Sequence, residues 1–419
     1  MILVLTLAAA LAAPARAQTE VRLAVGGATA EAAPVLALPV FQASDARKGP
    51  EAILAKSLRE IVRSDLMLSR RFTVADEEPG APPAAGTTWR LKAQAGQASD
   101  KISVQVRLEN GGGGGEAVFE RFYRQDAQWL RALAHRISDD VVKAATGREG
   151  IARTRIGFVN NQTGHKEVYV MDYDGDTVKR LTDDKSIDLL PRFSADGRRL
   201  AYTGYKDGNP DLFLIDLETG RASTLSDEQG LNIAGGFSPD GTKLLMTLSR
   251  GKSPNLYMKD LASGAVERLT SHFGADSTPT FSPDARQVAF VSDRSGNPQI
   301  YLLDLKTKAA RRLTNMNWCD APAWSPTGEW IAFAGRANRK DKMDIFLVDV
   351  TGAQVRQLTH GEGSNEDPTW SPDGRLLAFS STRDGRAQIY VMDADGSAPR
   401  RIADVPGASS TPHWSGTRP

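Results

Sequence analysis

Among 419 residues the sequence holds a single cysteine, Cys319. One thiol makes no intrachain disulfide, so stability has to come from packing and topology. Neither sign of charge is in excess, with 52 Lys and Arg against 51 Asp and Glu. Such a balance supplies no basic face to meet phosphate, and nucleic-acid binding is not expected. After the first residues no apolar run approaches the ~20 that a membrane-crossing helix needs, so no membrane span is expected. The common catalytic patterns are missing too: there is no G-x-S-x-G elbow, no H-E-x-x-H and no C-x-x-C. Gly111 to Gly115 lacks the G-K-[ST] ending of a phosphate loop and reads as a linker. No catalytic residue, metal site or cofactor is therefore expected.

What is present begins with a targeting segment. Ile2 to Ala13 is an apolar run, and Ala15-Arg16-Ala17 after it fits a signal-peptidase site. The expectation is a signal peptide over 1–17, a mature protein starting near Gln18, and export.

Three motifs then recur six times each. The first is F-S-A-D-G from Phe193, F-S-P-D-G from Phe237, F-S-P-D-A from Phe281, W-S-P-T-G from Trp324, W-S-P-D-G from Trp370 and W-S-G-T from Trp414, with spacings of 44, 44, 43, 46 and 44 residues. The second runs V-Y-V-M-D from Val168 to I-Y-V-M-D from Ile389, and the third is R-L-T or a variant of it from Arg180 to Arg401. Two-fold alternation, as in Gln388-Ile389-Tyr390-Val391-Met392, reads as half-buried strand. In S-P-D-G, Pro presets its φ, Asp bonds forward to the backbone and Gly accepts positive φ, so the segment is a turn. A four-stranded unit of this length repeated radially is a propeller blade. The first unit begins at Arg155 with what matches a second strand, and Thr411 to Ser415 supplies the missing inner one. The expectation is an all-β six-bladed β-propeller over 151–419, closed by the C-terminal strand.

Residues 18–150 have another grammar and read as an α/β N-terminal domain. Strands are predicted at Val35 to Phe41, Phe72 to Ala75, Trp89 to Gln97, Ile102 to Glu109 and Ala117 to Tyr123. A helix from Pro50 to Leu68 carries an apolar face of Ile53, Leu54, Leu58, Ile61, Val62 and Leu66. A second runs from Asp126, taken as its N-cap, to Gly147, with a stripe of Trp129, Leu130, Leu133, Ile137 and Val141.

The run Trp129-Leu130-Arg131, Ala134-His135, Ser138-Asp139, Thr146-Gly147, Arg153-Thr154-Arg155-Ile156 and Asp172-Tyr173-Asp174-Gly175 resembles the TolB family. So does the order of signal peptide, α/β domain and six S-P-D-G repeats. The resemblance implies a periplasmic, non-enzymatic adapter of the Tol-Pal system that supports the outer membrane during cell division. It implies a propeller face that binds Pal, a peptidoglycan-associated lipoprotein. It also implies an N-terminus that binds TolA, for which Glu20, Val21, Arg22 and Leu23 match the family's segment.

The repeats indicate which face binds. S-P-D-G and D-x-x-G turns share one face and are alike in all blades. Blade-to-blade loops and second-to-third strand loops share the other and vary strongly, as an asymmetric partner requires. The blade-to-blade loops are acidic and the outer loops basic, which predicts an acidic channel mouth inside a basic rim. The candidate Pal-binding residues are Asp188, Asn232, Asp276, Ser277, Asp320, Glu366 and Asp367, with Arg294 and Arg383 from the rim.

Other features read as structural. Cys319 is expected as a half-buried loop thiol. Asp172 to Asp176 resembles the start of a calcium loop but lacks the closing Glu and falls on a repeated turn. The alternative function is a channel-site propeller enzyme, metal-dependent and lyase-like, using His272, His360 and His413, or another propeller binding module.

Overall fold

A computed structural model describes residues 33–45, 49–78, 84–111, 116–250 and 253–417. The predicted signal peptide and Glu20 to Leu23 lie outside the described residues, as do Gly112 to Gly115 of the predicted linker.

The chain first builds a twisted mixed sheet under two helices. Its strands are β1 (Val35–Pro39), β2 (Gln42–Ala43), β3 (Thr73–Glu77), β4 (Thr87–Ala98), β5 (Lys101–Asn110) and β6 (Ala117–Asp126), in the order β3-β1-β4-β5-β6 with β2 beside β4. β1 runs parallel to β3 and β4, whereas β4, β5 and β6 are antiparallel. Alternation in β5 sends Ile102, Val104, Val106 and Leu108 into the core. The helices α1 (Gly49–Leu68) and α2 (Leu130–Thr146) cover that face. Leu54, Leu58, Val62 and Leu66 of α1 recur every four residues and meet Leu133, Ile137 and Val141 of α2.

Two helix details differ from the sequence reading. Ile53 is 69% exposed and Trp129 53% exposed, so neither belongs to the apolar stripes. Ile53 sits one residue ahead of its stripe, about 100° round the helix, and Trp129 lies outside α2, in the 3-10 turn Ala127–Trp129 that precedes it. Asp126 makes no capping hydrogen bond, because its carboxylate pairs with Lys101 on the neighbouring strand. Gly147 does end α2, in the left-handed conformation at φ 70°.

Six four-stranded antiparallel sheets follow. Their inner strands are Asp188–Phe193, Asn232–Phe237, Asp276–Phe281, Trp318–Trp324, Asn365–Trp370 and Ser409–Trp414. These open blades 2 to 6, with Ser409–Trp414 pairing with Arg155–Asn160 to complete blade 1. The ring is closed by the last strand. Within the S-P-D-G turns the serine hydroxyl bridges Asp and backbone: Ser194 Oγ donates to Asp196 at 2.6 Å and accepts Arg199 N–H at 2.9 Å. Ala285 stands where four of the other turns have Gly, and still adopts φ 56°.

The two layers meet along a polar seam. Arg131 of α2 pairs with three carboxylates of one propeller turn: Asp174, Asp176 at 3.0 Å and Asp172 at 3.7 Å. The calcium-like spacing therefore serves a guanidinium. A glycine is needed in this turn at Gly175, where φ is 92° and an added Cβ would lie 1.8 Å from the Ile402 carbonyl oxygen. Arg70 pairs with Asp393 at 3.0 Å and Arg71 with Asp373 at 3.1 Å.

Candidate functional site: the channel mouth

Six equivalent hydrogen bonds place the variable loops together. The first N–H of each inner strand region donates to the carbonyl just ahead of the preceding blade's third strand: Asp188 to Lys166, Asn232 to Pro210, Asp276 to Pro254, Cys319 to Pro298, Asn365 to Met343 and Ser409 to Ala387. Blade-to-blade loops and second-to-third strand loops thus share one face around the channel.

A feature unread in the sequence shapes that channel. Each inner strand carries a register shift after its second or third residue. In five of the six the shift falls on a non-glycine residue with positive φ: Leu190, Thr278, Ala321, Asp367 and Thr411, at 47° to 55°. Proline follows each of them, at 191, 279, 322, 368 and 412, and blade 3 has Gly235 instead. The bulges turn Arg192, Thr278, Asp367 and His413 to the channel wall. The recurrence of this proline in five of the six units was the available signal.

The predicted residues divide into two groups. Asp320, Glu366 and Asp367 come together at the mouth between blades 5 and 6. Burial foremost, then the charge of Glu366, pushes the Asp367 carboxyl up to about 6. Burial and Glu366 also raise the pKa of Asp320, despite the Ala321 N–H it accepts at 2.7 Å. Glu366 itself is exposed and accepts the Ser364 hydroxyl at 2.5 Å. Three carboxylates within electrostatic reach form a local negative field, offset in part by Arg192, whose charge acts on Asp367 across the channel.

Asp188, Asn232 and Asp276 instead are fully buried between blades, and Ser277 is half-buried beside Asp276. Asn232 holds its own loop through Glu228 and Gly230 carbonyls. Arg294 clamps both oxygens of Asp276 at 2.8 Å. Arg383 bonds Asn365 at 3.3 Å and pairs with Glu362 at 3.3 Å. The outer cations also lie over their own blades' aromatic rings: Lys206 on Phe213 at 4.2 Å, Arg294 on Tyr301 at 5.0 Å and Arg383 on Tyr390 at 4.6 Å. The basic rim is therefore partly neutralised by its own blades, and the net negative field concentrates at blades 5 and 6. Phe273, 85% exposed on the loop between blades 3 and 4 with the His272 ring 4.2 Å away, is an apolar feature of this face that the sequence reading passed over.

The histidines lie apart from one another in role. His272 accepts Gly274 N–H at 3.0 Å, His360 is exposed, and His413 accepts Phe193 N–H at 3.2 Å. Burial, with Arg192 nearby, lowers the His413 pKa to about 3, so the ring is neutral. Among the described residues, the one group of three or more His, Cys, Asp or Glu with ligand atoms within 4.8 Å of one another is Asp65, His135 and Asp174, at the seam. Cys319 is fully buried on the inner strand of blade 5, not half-buried in a loop, because it fills the inter-blade position beside Gln299.

Comparison with known proteins places these features in context. The family model described as the TolB beta propeller domain matches residues 142–319 and 302–418. The Tol-Pal system protein TolB of Geobacter sulfurreducens is 37% identical over 184 residues, 41% of this chain and 42% of that protein. The TolB of Geobacter metallireducens is 36% identical over 159 residues, 35% of this chain and 37% of that one. These matches span less than half of the curated relatives' length. The crystal structure of TolB from Acinetobacter baumannii superposes with a TM-score of 0.78 at 26% identity, over 92% of this chain and 97% of that one.

Proposed function

The chain belongs to the TolB β-propeller family, and from that membership we propose that it is a non-enzymatic periplasmic adapter of a Tol-Pal system. In this reading the channel-mouth face binds the Pal lipoprotein and the segment Glu20 to Leu23 binds TolA. The pair of contacts would link the envelope layers and support the outer membrane during constriction.

The observation that carries the reading is the grouping of Asp320, Glu366 and Asp367 at one side of the mouth, on a face of variable loops. Two of these carboxyls, Asp320 and Asp367, are already raised by burial and by the charge of Glu366. A cationic partner group placed there would relieve that repulsion, which gives binding both a driving force and a sign. Exposed Phe273 offers an apolar anchor of the kind that dominates interface energetics. Asn232 and Asp276 act from behind, by holding the loops that form the face.

Calorimetric titration of the mature protein with the soluble domain of its own organism's Pal tests this. The expected result is binding that weakens as salt rises and is reduced at least tenfold in a variant carrying Asp320→Asn, Glu366→Gln and Asp367→Asn. Absence of binding in every condition would remove the Pal assignment. Binding that is indifferent to the triple substitution would remove the proposed face. Deleting residues 18–23 should leave Pal binding intact and abolish binding to TolA.

A further inference from the structure

At the centre of the seam lies a buried polar cluster to which neither the channel mouth nor the proposed adapter function gives a role. The Asp65 carboxylate, on α1, is fully buried and receives three donors. His135 Nδ1 of α2 lies 2.9 Å from Oδ2, the Ser138 hydroxyl donates to the same oxygen at 2.8 Å, and the Tyr173 hydroxyl of the propeller donates to Oδ1 at 2.8 Å. One carboxylate thus joins both helices to the propeller. The His135 ring stands edge-on to Tyr173, with centroids 5.8 Å apart, and its Nε2 is buried with no hydrogen-bond partner.

The charges around His135 do not cancel without it. From α1 comes Asp65. From α2 come Arg131 and Asp139, the latter paired with Arg153 at 2.9 Å. From the propeller come Tyr173 and the carboxylates Asp172, Asp174 and Asp176, with Arg155 3.9 Å from Asp172. Behind Tyr173 stands Arg400, near Arg70 and Asp393. Arg131 is already shared among the three carboxylates of its turn. Asp65 therefore has no dedicated cation except a protonated His135, and a buried anion without one is costly.

We propose that His135 is a proton-operated latch: protonated, it neutralises Asp65 and holds the helical layer to the propeller, and on losing its proton it loosens the seam. Asp65 is the hinge of the device and Tyr173 its link to the propeller. Burial disfavours the charged imidazole, but the Asp65 hydrogen bond and the charges of Asp65 and Asp174 outweigh it, and the pKa stays above the ordinary histidine value. A histidine raised in this way stabilises the folded seam fully below its unfolded pKa. That stabilisation is lost as pH rises through the folded value. The seam is thus tightest at mildly acidic pH and loosest under alkaline conditions.

The test uses the whole mature protein. His135 is titrated by NMR of its ring protons from pH 5.5 to 9. Over the same range, hydrogen exchange of residues 62–68, 130–142 and 170–176 is measured and corrected for intrinsic rates. The expected result is a His135 pKa above 6.5 and seam protection that falls about tenfold for each unit of that elevation. The fall should track the titration and be absent in His135→Gln. Tyr173→Phe, which keeps the imidazole and Asp65 but cuts the link, should weaken protection at every pH while leaving the His135 titration in place. A His135 pKa at or below 6.5, or seam protection with the same pH dependence in His135→Gln as in the parent, would overturn the proposal. Should His135→Gln fail to fold, the parent titration and Tyr173→Phe still decide it.

Discussion

The indole Nε1–H of Trp414 donates to the Thr154 hydroxyl at 2.8 Å, joining residues 260 positions apart. The Trp414 N–H also donates to Thr369 at 3.1 Å, and the Ser415 hydroxyl accepts Arg155 N–H at 2.9 Å. The ring is fastened where its two ends meet. Trp414→Ala should cost about 3–5 kcal/mol, as for other buried tryptophans. Removal of residues 409–419 should leave blade 1 without its inner strand and replace a sharp calorimetric melt by a broad, lower one. An unchanged melt after truncation would show that closure contributes nothing.

Asp188 opens the inner strand of blade 2, where blades 3 and 6 have Asn232 and Asn365. Its side chain is fully buried, and the nearby Thr182 hydroxyl offsets that burial only in part. Burial foremost, with Asp184 and Glu167 behind it, pushes its pKa up to about 7. The folded state therefore binds a proton more tightly than the unfolded chain. Stability falls as pH rises from about 4 to about 7, and the full penalty is present above that. Asp188→Asn should raise stability by about 1–3 kcal/mol at pH 8 and change it little at pH 4. Chemical denaturation at the two pH values checks this, and equal effects at both would contradict it.

Arg131 alone spans Asp172, Asp174 and Asp176. Arg131→Ala would leave three facing carboxylates without their shared cation, at a cost of about 2–4 kcal/mol. The helical layer and the propeller should then melt in two separable transitions by calorimetry. Arg131→Lys should recover only part of the loss, since a compact ammonium lacks the planar spread by which three guanidinium nitrogens reach three separate carboxylates. A single undiminished transition in Arg131→Ala would place the coupling elsewhere.

Burial pushes the Cys319 thiol up to about 12. Almost no thiolate exists at neutral pH, so alkylation in the folded protein should be slower than in the urea-unfolded chain by at least a hundredfold. Mass spectrometry after timed iodoacetamide exposure measures it. Comparable rates would mean that blade 5 opens readily.

The Phe, Ser, Pro, Asp and Gly of the repeated turns act within a few residues of one another, through φ preference and local hydrogen bonds. The number of blades, the positions of the turns and the closing strand could therefore be read from the chain alone. So could the helix faces built on Leu54, Leu58 and Val62, because they follow a local period. Which carboxylates gather was a different matter. Asp320 and Glu366 approach only because two blades stand side by side, whereas Asp276, one repeat position earlier on its own inner strand, is consumed by Arg294. The same holds for Asp172 to Asp176, read correctly as a turn but without the Arg131 that α2 brings against it, and for Cys319, which lies between blades. Sequence determined what repeats, since a local pattern carries its own physics. Only the tertiary structure decided which charges remain free, because that depends on the partner each meets across blades and across the seam.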